Sequence, residues 1–318
     1  MILSVTEWSY GIIMAIVQGI TEFIPVSSSG HLSIVEMFFD VNSQAAIDFY
    51  FFLHIPTFIA AVVYFRKDIR DFILSIVPET IHLRPSVDDN ADNTTDNNSA
   101  KAEEKESNKE AGTATKLPSI SWKYADMTPQ RKTVAALIIS MLVTGPMGLL
   151  LSGHLAEFSS HLIVLGAMFI ATALMLISSE YVLAKSKLQR SMDKLTPARA
   201  AFIGFVQGLA VIPGISRSGS AIAAGLWMGL SRQQATRYSF LLFIPIMIAG
   251  SLRDFVRMAQ GNLILPNLWV SVVSFVIAGV IGYLVIAGMI KLVEKTSLNY
   301  FAAYAAVLGT VLIVLYFI

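Results

Sequence analysis

The sequence predicts an all-α integral membrane protein with six transmembrane helices and two re-entrant helical hairpins in an inverted-topology repeat. Of its 318 residues, 55% are hydrophobic and 14% are charged, so the chain is more apolar and less charged than ordinary soluble domains. Several apolar stretches are long enough to cross about 30 Å of hydrocarbon. Two others are interrupted by Pro, Ser, Gly and a charge, and short matches recur at one fixed distance along the chain.

Six stretches are predicted to span the membrane. Four contain no Asp, Glu, Lys or Arg and have full spanning length: residues 133–153, 160–179, 266–290 and 296–318. The other two, residues 49–65 and 238–252, are near the lower length limit, and each contains a proline. We expect all six to be transmembrane helices.

Residues 8–35 and 200–230 are each predicted to form a re-entrant hairpin of two half-helices, because both are broken in mid-course by helix-breaking and polar residues. Non-helical backbone at membrane depth is tolerated only where protein buries it or where it lines a watery cavity. The two breaks therefore predict functional sites.

The chain divides into four segments. Residues 1–84 hold the first hairpin and the first span of repeat 1, residues 122–184 hold its other two spans, and residues 185–318 form repeat 2 with the second hairpin and three spans. Residues 85–121 are so rich in polar and charged residues that they predict a solvated, disordered loop. Most Lys and Arg residues fall on the side of this loop, which places it in the cytoplasm and both termini outside. No basic residue precedes Arg66, so the N-terminal segment is not expected to be a signal peptide.

The internal repeat rests on four short matches that share one offset of 189 residues. They are Gln18-Gly19 with Gln207-Gly208, Ser29-Gly30 with Ser218-Gly219, Ile55-Pro56 with Ile244-Pro245, and Ala60 with Ala249. Each half reads as a hairpin followed by three spans, and an odd number of spans inserts the second half upside down. The hairpins are therefore expected to enter from opposite faces and to meet near the midplane. Such repeats are typical of transporters, and a hydrolase could use the same cavity.

The first hairpin reads QGITEFIPVSSSGH from Gln18 to His31. If its first arm is helical, Gln18 and Glu22 share one face. A carboxylate within the bilayer is costly, so Glu22 needs either an ion or a partner, the alternative being a structural hydrogen bond to a neighbouring helix. The hydroxyl and imidazole groups that follow within nine residues are those of Ser27, Ser28, Ser29 and His31. This concentration of polar groups favours a site.

The second hairpin reads QGLAVIPGISRSGS from Gln207 to Ser220. The small residues around Arg217 are Gly214, Ser216, Ser218, Gly219 and Ser220. Together with the apolar half-helix that follows, they would aim backbone N–H groups and a helix N-terminus at one point, which indicates an anion site. The planar guanidinium of Arg217 suits phosphate oxygens, and without ligand it could also neutralise Glu22.

Taken together, the two hairpins supply a carboxylate, hydroxyls, one imidazole and one guanidinium. This set fits phosphoryl chemistry, in which catalysis is largely positioning and charge neutralisation. A divalent ion held by Glu22, with Gln18 as a further oxygen ligand, would be Mg²⁺ or Ca²⁺. The chain has no Cys, which excludes thiolate chemistry, and its net charge of +1 argues against nucleic-acid binding. His54 is expected to be a packed or hydrogen-bonded residue without a role at the site.

At these residues the sequence resembles the bacitracin-resistance type of undecaprenyl-diphosphatase. The first matching piece is the glutamate-rich motif from Gln18 to Glu22 with the Pro-Val-Ser-Ser-Ser-Gly-His run that follows it. The other two are Pro-Gly-x-Ser-Arg-Ser-Gly from Pro213 and Tyr-Ser-Phe-Leu-Leu-x-x-Pro from Tyr238. The resemblance covers nearly the whole chain except the polar loop. In two places the sequence departs from the family pattern: Gln18 stands where glutamate is frequent, and Ser220 replaces a common threonine.

The resemblance implies removal of the terminal phosphate from undecaprenyl diphosphate, giving the monophosphate lipid carrier of cell-wall synthesis. It implies a bacterial plasma-membrane protein whose site opens to the outer face. By family match, Gln18 and Glu22 bind the metal and diphosphate, Ser28 and His31 are the candidates for nucleophile and acid/base, and Arg217 grips phosphate. The expected partners are the polyprenyl diphosphate and membrane lipids, and a homodimer is compatible with the sequence. The alternative is a carrier that flips a polyprenyl phosphate without cleaving it.

Overall fold

The computed structural model describes residues 5–39, 43–76, 124–152, 161–186, 189–260 and 264–318. Within these ranges the chain folds into eleven α-helices and two short 3₁₀ helices, Tyr124–Asp126 and Met192–Lys194. A helical fold is what the bilayer demands of such an apolar chain, because each helix satisfies its own backbone hydrogen bonds. The polar loop predicted at residues 85–121 lies outside the described residues.

The helices divide between the two halves of the chain. The first half contains α1 Val5–Thr21, α2 Ser28–Phe39, α3 Ser43–Tyr64, α4 Arg66–Ile76, α5 Pro129–Ser152 and α6 Leu162–Lys185. The second half contains α7 Pro197–Leu209, α8 Arg217–Trp227, α9 Arg232–Ala259, α10 Leu268–Lys295 and α11 Asn299–Phe317.

Four helices in the described part of the chain have the length and hydropathy of a membrane span. They are Pro129–Leu151 in α5, Leu162–Lys185, Leu268–Val293 in α10 and Asn299–Phe317. These correspond to the four long spans that the sequence predicts, so the chain is a multi-pass membrane protein. Helix α3 meets the same test only together with α4, from which it is bent by 70°. The spans predicted in α3 and α9 remain predictions.

Both predicted hairpins have the expected helix–break–helix form. The first break, residues 22–27, contains Pro25 and ends at Ser27, whose φ of 71° lies in the left-handed region. The second, residues 210–216, contains Pro213 followed by Gly214 with a φ of 95°, a conformation that glycine adopts without steric cost. Proline and these positive φ angles stop the helical hydrogen-bond pattern, and the chain resumes a helix at the next serine or arginine.

Packing between the halves is reciprocal. Helix α1 of the first hairpin packs along α10 of the second half, and α7 of the second hairpin packs along α5 of the first half. Helices α6 and α11 pack against each other where Gly166 and Gly309 meet, since a Cβ atom added at either would lie 2.6 Å from the carbonyl oxygen of the other. Small residues at such crossings let membrane helices approach closely.

One ion pair joins the end of α6 to the start of α9. The Glu180 carboxylate at the end of α6 accepts hydrogen bonds from Arg232 Nε and a terminal Arg232 nitrogen, at 2.9 and 2.5 Å. The Leu298 amide, just before α11, donates to the same carboxylate at 3.1 Å. This contact fixes the start of α9, the helix that forms one wall of the site described next.

Candidate active site

The two helix breaks are in direct contact. The Ser218 hydroxyl in the second hairpin donates to the Ile24 carbonyl oxygen in the first at 3.2 Å. A Cβ atom added at Gly219 would lie 3.3 Å from Pro25 Cβ, and one added at Gly30 would lie 3.1 Å from the Cα of Gly214. The structure therefore brings together the two hairpins that the sequence predicts to meet.

Each break ends in a serine that caps the following helix. The Ser27 hydroxyl accepts a hydrogen bond from the Gly30 amide at 3.2 Å, and the Ser216 hydroxyl accepts one from the Gly219 amide at 3.0 Å. Serine is a preferred N-cap residue because it satisfies an otherwise unpaired N–H group of the first turn. Two capped helices thus begin side by side inside the protein, with the positive ends of their dipoles close together.

Each capping serine also contacts a second serine two positions further on. The distance between the hydroxyl oxygens is 3.2 Å for Ser27 and Ser29, and 3.2 Å for Ser216 and Ser218. The two helix starts therefore have matching local geometry. The two helix starts differ in the residue between the serines, which is Ser28 in the first hairpin and Arg217 in the second.

The Glu22 carboxylate lies at the centre of the candidate site and is only 7% exposed. Its Oε2 atom accepts hydrogen bonds from Ser28 Oγ at 2.6 Å and from Gln18 Nε2 at 3.0 Å. Gln18 and Glu22 share one face at the end of α1, as the four-residue spacing predicts. A short hydrogen bond to a carboxylate aligns the Ser28 hydroxyl proton with a base.

Arg217 reaches the other oxygen of the same carboxylate. One of its terminal nitrogens lies 3.9 Å from Glu22 Oε1 and donates to the Met247 sulfur at 3.2 Å. The guanidinium carbon lies 5.9 Å from the ring centre of Phe243. A thioether is a weak acceptor and the ion pair is long, so the guanidinium keeps donors with which to bind an anionic ligand.

Sequence reasoning gave His54 no role, but the structure places it against Glu22. His54 is 2% exposed, and its Nε2 atom lies 3.6 Å from Glu22 Oε2. Its Nδ1 atom lies 2.9 Å from the Tyr50 carbonyl oxygen, one helical turn earlier in α3, so Nδ1 carries a proton. The repeat could have revealed this position, because Phe243 is its counterpart at the offset of 189 residues and lines the same site.

His31, in contrast, has both ring nitrogens engaged by groups other than Glu22. Its Nδ1 atom lies 2.6 Å from the Ser27 carbonyl oxygen, and its Nε2 atom lies 2.7 Å from the Tyr304 hydroxyl of α11. The ring stacks on Tyr304 and meets Phe169 edge-on. Because a carbonyl oxygen only accepts, Nδ1 is the donor, and a neutral ring accepts the Tyr304 hydroxyl proton at Nε2. In this arrangement His31 holds the Ser27 turn in place.

Three of the predicted substrate-binding residues shape the backbone. The carbonyl oxygen of Gly214 accepts a hydrogen bond from the Thr172 hydroxyl of α6 at 3.0 Å, and the same hydroxyl accepts the Ser216 amide at 3.0 Å. The Ser220 hydroxyl donates to the Arg217 carbonyl oxygen at 3.0 Å. These contacts fix the path of the second break and so the direction of the N-terminus of α8.

The cavity between the hairpins is small. It is lined by Glu22, Phe23, Arg217, Ser218, Ser239, Phe240 and Phe243. Its volume of about 10 Å³ is close to the minimum that holds one water molecule, so a diphosphate must open it. A larger cavity of about 290 Å³ lies at the far end of α1, where Glu7, Tyr10 and Pro266 are among its walls. None of the predicted site residues is among the described residues that line this second cavity.

The oxygen atoms of Glu22 and Gln18 fit a hard divalent cation that takes its remaining ligands from the substrate. No group of three or more His, Cys, Asp or Glu side chains suited to a metal occurs in the part of the chain that the structure describes. Gln18 Oε1 is buried and accepts no hydrogen bond within those same residues. Mg²⁺ is commonly held by one or two carboxylates together with substrate phosphates, and this set of oxygens agrees with that pattern.

Comparisons with known proteins show which family the chain matches. Residues 11–311 match the family described as Bacitracin resistance protein BacA. Among similar proteins, an undecaprenyl-diphosphatase of Methanosphaera stadtmanae is 32% identical over 304 residues, which cover 96% of this chain and 96% of that protein. One of Bacteroides fragilis is 31% identical over 97% of this chain and 98% of its own length.

A third relative widens the range of organisms. The undecaprenyl-diphosphatase of Treponema denticola is 33% identical over 299 residues, which cover 94% of this chain and 93% of that protein. The family match over residues 11–311 spans both hairpins and the helices around them. The chain therefore belongs to the bacitracin resistance protein BacA family.

Proposed function

We propose that this protein hydrolyses undecaprenyl diphosphate to undecaprenyl phosphate and inorganic phosphate, which recycles the lipid carrier of cell-wall synthesis. The observation that carries the proposal is the contact of 2.6 Å between Ser28 Oγ and Glu22 Oε2, with the Arg217 guanidinium beside the other carboxylate oxygen. A hydroxyl paired with a buried base and flanked by a cation is suited to phosphoryl transfer. The names of the relatives support the same reaction.

In the proposed mechanism Ser28 is the nucleophile. Glu22 accepts the hydroxyl proton as Ser28 Oγ bonds to the terminal phosphorus, and the bond from that phosphorus to the bridging oxygen breaks. Undecaprenyl phosphate leaves with the bridging oxygen, and Glu22 passes its proton to this departing phosphate and becomes a carboxylate again. A water molecule then attacks the phosphoserine, Glu22 takes the water proton and delivers it to Ser28 Oγ as the bond from Oγ to phosphorus breaks, and inorganic phosphate leaves. His31 stays an acid/base candidate that acts only if substrate binding separates it from Tyr304.

The remaining groups neutralise charge. Arg217 offers two N–H groups in one plane, which match two oxygens of a phosphate. The N-termini of α2 and α8 add backbone N–H groups. The hydroxyls of Ser29 and Ser218 lie at these helix starts, next to the capping serines, and would donate further hydrogen bonds to the phosphate oxygens. The transferred phosphoryl group would thus be held from both hairpins.

A divalent cation, Mg²⁺ or Ca²⁺, is part of the proposal. Glu22 and the Gln18 side-chain oxygen would hold it together with the diphosphate. When bound, it supplies neutralising charge for the phosphate oxygens and the leaving group. Gln18 contributes no charge of its own, so the cation would depend on the substrate for the rest of its ligands.

For the membrane arrangement, we propose six spans and two re-entrant hairpins in an inverted repeat, within the plasma membrane of a bacterium. The reciprocal packing of α1 on α10 and of α7 on α5 supports the repeat, because a two-fold relation exchanges these pairs. By the distribution of Lys and Arg, the polar loop would lie in the cytoplasm, and by the family resemblance the site would open to the extracytoplasmic side. A homodimer remains a prediction.

The test is phosphate release by the purified protein. We expect release from undecaprenyl diphosphate in the presence of Mg²⁺ or Ca²⁺, and its loss on chelation. Glu22→Gln should lower the rate about 10³-fold or more, since it removes both base and metal ligand. Glu36→Gln, a partly buried carboxylate on α2 outside the cavity, is the matched control and should remain active. Transfer of polyprenyl phosphate between vesicle leaflets without any phosphate release would favour the carrier instead.

A further inference from the structure

Helix α4 is not one of the four described helices that have the length and hydropathy of a membrane span, and it has no role in the reaction proposed above. It follows α3 with a bend of 70° at a single residue, Phe65. The bend is fixed by the Arg66 guanidinium, which donates to the Val63 carbonyl oxygen at 2.8 Å and so satisfies the end of α3. A helix that leaves a membrane span at this angle runs closer to the plane of the bilayer than to its normal.

The composition of α4 forbids a place in the hydrocarbon. Its 11 residues are about 16 Å long, roughly half the thickness of the hydrocarbon core. The charged residues of α4 are Arg66, Lys67, Asp68, Arg70 and Asp71. Placing this cluster among acyl chains would be very costly, so α4 must lie at the level of the lipid headgroups.

Two contacts hold one side of α4 against the protein. Asp68 forms an ion pair with Arg237 of α9, and Arg131 Nε donates to the Ser75 carbonyl oxygen at 2.6 Å. Ile69 and Phe72 pack on the hydrophobic core. These contacts fix the rotation of the helix about its axis and decide which residues face outwards.

The outward side is amphipathic. Ile73 and Ile76 are 56% and 54% exposed, and they lie on one face together with the packed Ile69, as expected for positions three and four apart. Lys67 and Arg70 are exposed on the adjoining face. Apolar and basic faces meeting along a short helix that follows a span are the pattern of a helix lying in the membrane interface.

We propose that α4 is an interfacial helix that binds the headgroups of anionic phospholipids through Lys67 and Arg70, while Ile73 and Ile76 insert among the upper acyl chains. Charge complementarity carries the choice of occupant. Asp68 is neutralised by Arg237, and the Arg70 pair with Asp71 is 71% and 55% exposed on the two side chains, so solvent screens it and a lipid phosphate can displace it. Arg131 of α5, whose Nε atom donates to the Ser75 carbonyl oxygen, adds a further positive charge beside α4.

The first experiment measures lipid retention by native mass spectrometry of the full-length protein, with phosphatidylglycerol and phosphatidylcholine as the two probes. The test variant is Lys67→Gln with Arg70→Gln. The matched control is Lys291→Gln with Lys295→Gln, two exposed lysines at the end of α10 that are predicted to lie on the same side of the membrane. Because one basic residue near an anionic surface strengthens binding roughly fivefold, the test variant should bind phosphatidylglycerol about 25-fold more weakly.

Phosphatidylcholine binding should stay unchanged in both variants, and the control should lose clearly less phosphatidylglycerol binding than the test variant. Equal retention of phosphatidylglycerol by the wild type and the test variant would overturn the proposal. An equal loss of phosphatidylglycerol binding in the control would also overturn it, because the loss would then result from the lower total charge and not from the substitutions in α4. All four substituted residues are exposed, and unchanged thermal melting of both variants would exclude unfolding as the cause.

A second experiment measures depth, and the absence of cysteine from the sequence makes it simple. Spin labels attached after Ile73→Cys and, separately, after Lys67→Cys are compared in bilayers by their access to oxygen and to a water-soluble nickel complex. The label at position 73 should be protected from nickel and exposed to oxygen, and that at position 67 should show the reverse. Free nickel access at both positions would overturn the proposal, as would protection of both positions from nickel. Neither experiment uses phosphate release, so each stands apart from the proposed function.

Discussion

The first and second hairpins have the same architecture and carry different chemistry. In each, a serine caps the helix after the break, and a second serine two residues on contacts the cap at 3.2 Å. The offset of 189 residues pairs Ser28 with Arg217 and Glu22 with Val211. The duplicated part is thus a pair of serine-capped helix starts, while the proposed base and nucleophile lie on one hairpin and the guanidinium on the other.

This difference teaches where a duplicated fold can specialise. The capping serines and the glycines near the breaks determine the backbone, so both copies retain them. The position between the serines reaches the Glu22 carboxylate and does not affect the cap, so it can differ. One copy uses it for a hydroxyl beside Glu22, and the other for a guanidinium that reaches the same carboxylate.

The largest effect is expected from removing the hydroxyl that only the first hairpin has at this position. Ser28→Ala should lower phosphate release about 10³-fold or more, because Ser28 is the serine whose hydroxyl contacts Glu22 Oε2. The measurement is the steady-state rate with undecaprenyl diphosphate. Ser29→Ala, the neighbouring hydroxyl, should lose no more than about tenfold. A Ser28→Ala protein with a tenth of the wild-type rate would rule out nucleophilic attack by Ser28.

A smaller loss should follow when the second hairpin keeps its charge but loses its planar group. Arg217→Lys should lower kcat/KM about 10²-fold, since an ammonium cannot make two parallel hydrogen bonds to a phosphate. Initial rates over a range of substrate concentrations measure this. Arg70→Lys on α4 serves as the matched exchange and should be neutral. Full activity of Arg217→Lys would mean that the guanidinium only balances the charge of Glu22.

A loss of about tenfold in kcat is expected when His54 of the first half is replaced by the residue type found at the equivalent position of the second half. His54→Phe installs the aromatic residue found at the equivalent position, Phe243, and removes the nitrogen 3.6 Å from Glu22 Oε2. The loss should appear in kcat, because His54 lies beside Oε2 of the proposed base, the oxygen that Ser28 contacts, while Arg217 lies beside Oε1. An unchanged kcat would return His54 to the packing role that the sequence suggested.

The smallest effects concern stability and expose a difference in the two breaks. Ser27→Ala and Ser216→Ala should each cost about 1 kcal/mol through loss of the N-cap. Glycine substitutions should diverge: Ser27→Gly relieves the left-handed φ of 71° and should be at least as stable as the wild type, whereas Ser216→Gly should be slightly less stable. Thermal melting in detergent measures both. Equal losses for the two glycine variants would show that Ser27 is not strained.

Much of this arrangement could be predicted from the sequence, because its determinants are local or repeated. Pro25, Pro213 and Gly214 mark the breaks, and the shared offset predicts that the hairpins meet. The four-residue spacing of Gln18 and Glu22 predicts their common face. The absence of charges over about 20 residues predicts the four long spans.

The remaining features depend on side chains that meet only after folding. His54 is far from Glu22 in sequence and approaches it because α3 packs beside the first hairpin. Tyr304 engages His31 from a helix 273 positions further along the chain, and no local pattern marks that contact. Met247 accepts a hydrogen bond from the Arg217 guanidinium through its sulfur, although in the sequence this methionine looks like an ordinary core residue. The cavity was expected to be wet, yet it has room for about one water molecule, because Phe23, Phe240 and Phe243 close around it.

The most direct test of the account is a disulfide between the two hairpins. The chain contains no cysteine, and a Cβ atom at Gly219 would lie 3.3 Å from that of Pro25, close to the separation in a disulfide. The variant with Pro25→Cys and Gly219→Cys should cross-link almost completely under mild oxidation and recover its mobility on reduction. The control with Pro25→Cys and Gly288→Cys should stay reduced, because nothing lies within 4 Å of a Cβ atom at Gly288. Cross-linking of the first pair no greater than that of the control would contradict the convergence of Glu22 and Arg217 in one site.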